Sequence, residues 1–217
     1  MLKSHNVDGF VNYCPQLPVL PFKTRFPFAR ISSEMIINWY GGGCYKIATP
    51  DFAVIVDPDS SESGRRLKGD LIVKTESELE NAVNNKEANL ISGPGEYEFS
   101  GVKVRGYMDG SSNDRLSTAY KIVFEDIKFG FVPAGAADLV EEAADILSDA
   151  DILFVAANEP GAKIAKRIAP KIVIPGEGNQ KKFASDLGRE PEPEEKLVIK
   201  RKDLDAVEGM KVVILNK

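Results

Sequence analysis

Histidine is almost absent from this sequence: the 217-residue chain has one, His5, and two cysteines, Cys14 and Cys44. A tetrahedral zinc site of cysteine and histidine alone takes four ligands, more than these scattered positions supply. A Ser-His-Asp or Cys-His catalytic group has only His5 to draw on. A basic excess is missing too, with 28 Lys and Arg against 33 Asp and Glu for a net charge of −5. Phosphate backbones are repelled by such a balance, which disfavours nucleic acid as a partner. No apolar run approaches the roughly 20 residues of a membrane span, and Pro15, Pro18 and Pro21 interrupt the only apolar patch near the N-terminus. C-x-x-C is absent, so the cysteines read as reduced thiols. The expected location is the cytoplasm, with no membrane partner.

What is present is ordinary globular material, 43% apolar and 28% charged. A domain of this size buries roughly 70–75% of its unfolded surface and needs no disulfides. Residues 1–34 stand apart, with four prolines, no periodicity and a local charge of +2. Proline at that density blocks helices and central strands. The segment reads as a disordered leader or an extension from a misplaced upstream start, with Met35 the natural beginning; an arm packed on the domain is the competing reading. Residues 35–217 read as a single domain.

Short strands follow: Met35–Trp39, Cys44–Ala48, Ala53–Val56, Leu71–Lys74, Asn89–Ser92 and Val102–Arg105. A type II turn is expected at Pro94-Gly95, and a hairpin joins Ala119–Phe124 to Lys128–Val132 across Glu125-Asp126. Helices are expected near Glu76–Asn84, over Asp138–Leu147 and Ala162–Ile168, and from Lys181. Strands are expected over Ile152–Ala156, Lys171–Ile174, Lys196–Lys200 and Met210–Leu215. Strands followed by β-α-β units indicate layered sheets covered by helices.

Standard phosphate loops are missing. Gly176-Glu177-Gly178 could turn its amides toward an anion, although Glu177 opposes the charge and a plain strand-to-helix turn explains it. Glu76, Glu78 and Glu80 could hold a hard cation; the stronger reading is a helix start, with Thr75 and Glu78 at capping-box spacing. Asp57-Pro58 either offers a carboxylate at a sheet mouth or simply stops a strand. Cys44 reads as a buried small hydrophobe.

Five stretches in order resemble the metallo-β-lactamase fold, in its compact bacterial zinc-hydrolase branch. Met-Ile-Ile-Asn-Trp-Tyr-Gly-Gly-Gly-Cys-Tyr-Lys-Ile at 35–47 is similar to "ITWYGHSCFLI", and Val54–Pro58 to "ILIDP". Gly93–Glu98 with Gly101-Val102 is similar to "GPGEYEVxGV", Asp70–Thr75 to "ADLVLVT" and Ile172–Pro175 to "VVIP". The resemblance implies a four-layer αββα sandwich, an α+β or α/β architecture. It also implies that the metal run T-H-x-H-x-D-H is lost. Glu76 and Glu78 take the first two histidine positions, Glu80 the aspartate and Asn81 the last histidine. Phe131 stands for a further histidine, Ala134 for the bridging aspartate and Glu177 for the final histidine.

The family's zinc lowers the pKa of bound water to about 7, and no residue here replaces that. The expectation is a catalytically inactive binding or scaffold domain with no cofactor. The alternative is a divergent hydrolase with Mg²⁺, Mn²⁺ or Ca²⁺ on Glu76, Glu78, Glu80 and Glu177, with Asp57 as an optional further ligand. The resemblance also leaves room for a homo-oligomer, or for a histidine-bearing paralogue as partner.

Overall fold

The structure, a computed structural model, describes residues 33–58, 67–78, 89–112 and 115–217. The proline-rich leader, apart from its last two residues, lies outside them. Strands β1 (Met35–Trp39), β2 (Tyr45–Ala48) and β3 (Ala53–Val56) form an antiparallel meander. It continues in parallel through β4 (Leu71–Val73) to β6 (Leu90–Ile91). Between the last two comes β5 (Glu76–Glu78), which belongs to the other sheet. The second sheet starts with the antiparallel strands β7 (Gly95–Phe99), β8 (Val102–Ser112), β9 (Arg115–Phe124) and β10 (Ile127–Phe131). Helix α1 (Glu141–Leu147) then leads to β11 (Ile152–Ala157), α2 (Glu159–Ile168), β12 (Ile172–Gly178) and α3 (Gln180–Asp186). The described chain closes with β13 (Pro191–Glu194), β14 (Leu197–Ile199), α4 (Arg201–Asp205) and β15 (Lys211–Leu215).

The first sheet runs β14-β1-β2-β3-β4-β6 and the second β13-β15-β12-β11-β10-β9-β8-β7, with β5 pairing to β9. Alternation in β1 and β2 turns Met35, Ile37, Tyr45 and Ile47 inward. There they meet Ile122, Phe129, Phe154 and Ile172 of the second sheet in one core. The central strand β11 is apolar throughout because both its faces are covered. Its outward Leu153 and Val155 pack with Leu147 of α1 and Ile164 and Ala165 of α2. No helix among the described residues is long and apolar enough to cross a membrane.

Several expectations are corrected. The helix expected near Glu76–Asn84 is not formed at its start: Glu76–Glu78 is a strand, with Glu76 opposite Ser117 and Glu78 opposite Arg115. Residues 79–84 lie outside the described residues. The capping box falls with the helix, because Thr75 bonds Asp57 instead. Pairing with β9 buries Ser77, and this gain is invisible to a local helix signal. Gly95 has φ 147° and already opens β7 opposite Gly106, so no type II turn forms there. Strand β13 and helix α4 were not expected, and α1 starts at Glu141 rather than Asp138. The β9–β10 hairpin forms as expected, with Glu125 and Asp126 both left-handed (φ 49° and 61°), the two-residue turn that matches strand twist.

Tyr120 of β9 anchors the Gly93-Pro94-Gly95 stretch. The Gly93 amide donates to its hydroxyl at 2.7 Å, and the hydroxyl donates to the Gly93 carbonyl at 2.8 Å. Tyr120→Phe leaves both Gly93 groups without this partner in a buried place. It is expected to lower unfolding stability by about 1–3 kcal/mol, read from urea denaturation.

Candidate functional site

Parallel sheets open crevices beyond the carboxyl ends of their strands, and here the ends of β3, β4, β10, β11 and β12 gather at one place. They surround a cavity of about 100 Å³. Asp57 follows β3, Thr75 follows β4, Phe131 ends β10, and Gly176 and Glu177 lie near the end of β12. The loop from β1 to β2 adds Gly42 and Gly43, and Tyr45 reaches in from β2.

Asp57 is held tightly. The Thr75 amide donates to Oδ1 at 2.7 Å and the Thr75 hydroxyl to Oδ2 at 2.6 Å. Its own amide donates to the Val73 carbonyl at 2.9 Å. Its backbone is left-handed, with φ 45°, a conformation that aspartate tolerates better than most residues. Burial pushes its carboxyl up to about 6 from an ordinary 3.8, against the two Thr75 hydrogen bonds, and nearby Glu76 adds to the rise.

The wall beneath is aromatic. Phe131 stacks on Phe154 with centroids 4.3 Å apart and planes 2° from parallel. Tyr45 leans on Phe154 at 4.6 Å. Tyr45 is 3% exposed, and its hydroxyl has no hydrogen-bond partner among the described residues. Burial, followed by the Asp57 charge, raises its pKa far above the ordinary value.

Of the residues singled out in the sequence, Asp57 and Glu177 line this cavity together with Phe131 and Ala134. Asp57 thus both follows the end of β3 and presents its carboxylate at the sheet mouth. Glu76 stands beside the site and lines a neighbouring surface groove with Asp109 and Asp138. Glu78 is exposed on β5 and lines neither. Glu80 and Asn81 lie outside the described residues. Cys44 is buried as expected. The turn at Gly176-Glu177-Gly178 continues strand β12 and then enters α3, which Asn179 caps by accepting from the Lys182 amide. The sequence reading missed Tyr45, although it faces a phenylalanine in the resembled opening stretch, which marked its hydroxyl as a departure.

Two mixed sheets with helices outside, and a cleft at the strand ends, define a sandwich of the metallo-β-lactamase type. The chain belongs to the β-lactamase superfamily: the sequence model described as "Beta-lactamase superfamily domain" matches residues 36–177. Solved structures agree on the fold. A Thermotoga maritima protein described as a Zn-dependent hydrolase of the metallo-β-lactamase superfamily superposes with a TM-score of 0.60 at 17% identity, covering 84% of this chain and 100% of its own. Igni18, a metallo hydrolase of Ignicoccus hospitalis, gives 0.58 at 10% identity over 85% and 97%. The metallo-β-lactamase fold protein YhfI of Bacillus subtilis gives 0.55 at 10% over 85% and 97%. No match is found among curated proteins.

The residues present do not fit the zinc that the fold implies. The chain's one histidine lies at position 5. Among the described residues no three His, Cys, Asp or Glu side chains converge as a metal group needs. Stacked phenyl rings and an unpartnered phenol face the cleft instead.

Proposed function

We propose that this is a metallo-β-lactamase-fold protein that no longer catalyses zinc-dependent hydrolysis and serves as a cytoplasmic binding domain. The observation that carries the reading is the Phe131–Phe154 stack beside Asp57, at the strand ends where metal ligands would stand. An aromatic pair there supplies packing and no lone pairs to a transition metal. The retained cavity and the costly carboxylate within it support binding over loss of all use, since perturbed groups in clefts tend to mark functional sites.

The test is elemental analysis of the purified protein together with hydrolysis assays on nitrophenyl esters and phosphodiesters. Less than about 0.1 metal per chain and no turnover above buffer are expected, with or without added Zn²⁺, Mg²⁺, Mn²⁺ or Ca²⁺. Stoichiometric metal with metal-dependent turnover that falls in Asp57→Asn or Glu177→Gln would overturn the reading in favour of a carboxylate-based hydrolase.

A further inference from the structure

We infer that the cavity at Asp57 is a subsite for the primary ammonium group of a small organic cation, an inference that rests on the binding-domain reading above. The leading observation is the Tyr45 hydroxyl. It belongs to a residue 3% exposed, its ring is fixed against Phe154, and it meets no partner among the described residues. Buried hydroxyls are nearly always paired, so an orphan facing a cavity points to what the cavity takes.

Two glycines keep that space clear. A Cβ on Gly176 would sit 3.0 Å from the Tyr45 hydroxyl oxygen and 3.3 Å from the Gly42 carbonyl oxygen. A Cβ on Gly43 would sit 3.2 Å from Oδ2 of Asp57. The phenol and Gly42 carbonyl oxygens thus lie close to one glycine and the Asp57 carboxylate oxygen close to another, and Gly42, Gly43, Tyr45, Asp57 and Gly176 all line the cavity.

The chemistry of these groups selects the ligand. All three oxygens can accept, and an alkylammonium offers three N–H donors with no acceptor of its own. Among the described lining residues the ionisable side chains are Tyr45, Asp57 and Glu177, with no Lys, Arg or His. An anion would meet two carboxylates and no cation among these lining residues, the nearby Lys74 acting on Asp57 from outside the wall. A hard metal ion prefers more oxygen ligands than this wall supplies. At about 100 Å³ the space has room for a small head group, since roughly 10–15 Å³ on the same measure holds one water.

The experiment is a titration of ¹⁵N-labelled full-length protein with ethylammonium chloride, following the amides of Gly42, Gly43 and Gly176. Potassium chloride and sodium acetate at equal ionic strength are the comparisons. Saturating shifts with a millimolar Kd are expected, since so small a ligand sets that ceiling. Tyr45→Phe removes one unpartnered oxygen, so it should keep the fold and weaken binding about tenfold; Asp57→Asn should remove saturation from the accessible range. Equal saturation by potassium or acetate, no saturation by ethylammonium, or unchanged affinity in Tyr45→Phe would each overturn the inference. Those outcomes leave the non-catalytic reading standing, because that reading fails only on metal-dependent turnover.

Discussion

Asp57→Asn is expected to stabilise the protein by about 3 kcal/mol at pH 7.5 and by little at pH 4. The carboxyl has a folded pKa of about 6 against an ordinary 3.8, and each unit is worth about 1.4 kcal/mol. Between those two values the folded chain holds a proton that the unfolded chain has released, so stability falls as pH rises. The favourable contribution is fully present below about 4 and is lost as pH passes through about 6. Asparagine removes the charge but keeps an oxygen to accept from the Thr75 amide, and it suits the left-handed backbone at φ 45°. Urea denaturation of both proteins at pH 4 and pH 7.5 is the measurement. A gain of similar size at both pH values would show that desolvation of the carboxylate is not its source. The same substitution should abolish ammonium binding, so stability and binding would move in opposite directions, as expected where a strained or desolvated group is kept for function.

Much of the fold is legible in the chain because its strands carry their own signal. Ala53–Val56 and Ile152–Ala157 are continuous apolar runs bounded by turn residues, and Met35–Trp39 alternates. The hairpin at Glu125-Asp126 is equally local. The failures are non-local. Thr75-Glu76-Ser77-Glu78 looks like a helix start, with a hydroxyl three residues before a glutamate. Its conformation is decided by Asp57, 18 residues away, and by β9. Strand β13, Pro191–Glu194, has no apolar alternation; its register against Val212–Leu215 of β15 is what makes it a strand. At the site, lost histidines are visible by position alone. The conversion of that place into an aromatic wall with an orphan phenol is not, because Tyr45, Phe131 and Phe154 come from three distant strands and meet only in the folded core.

That aromatic wall makes the second large prediction. Phe131 is 2% exposed, stacks on Phe154 at 4.3 Å and lies within 6.4 Å of the Tyr45 ring. The side chain belongs to the core shared by both sheets. Phe131→Ala should therefore cost about 3–5 kcal/mol, the range for emptying a packed phenylalanine site. Phe131→Leu, which keeps most of the volume but loses the ring stack, should cost about 1–2 kcal/mol. Parallel chemical denaturation of the three proteins checks the order, and neither substitution should alter metal content. A neutral Phe131→Ala would mean that the ring is dispensable to the core, and the proposal that packing has taken over from metal ligation at this place would fall with it.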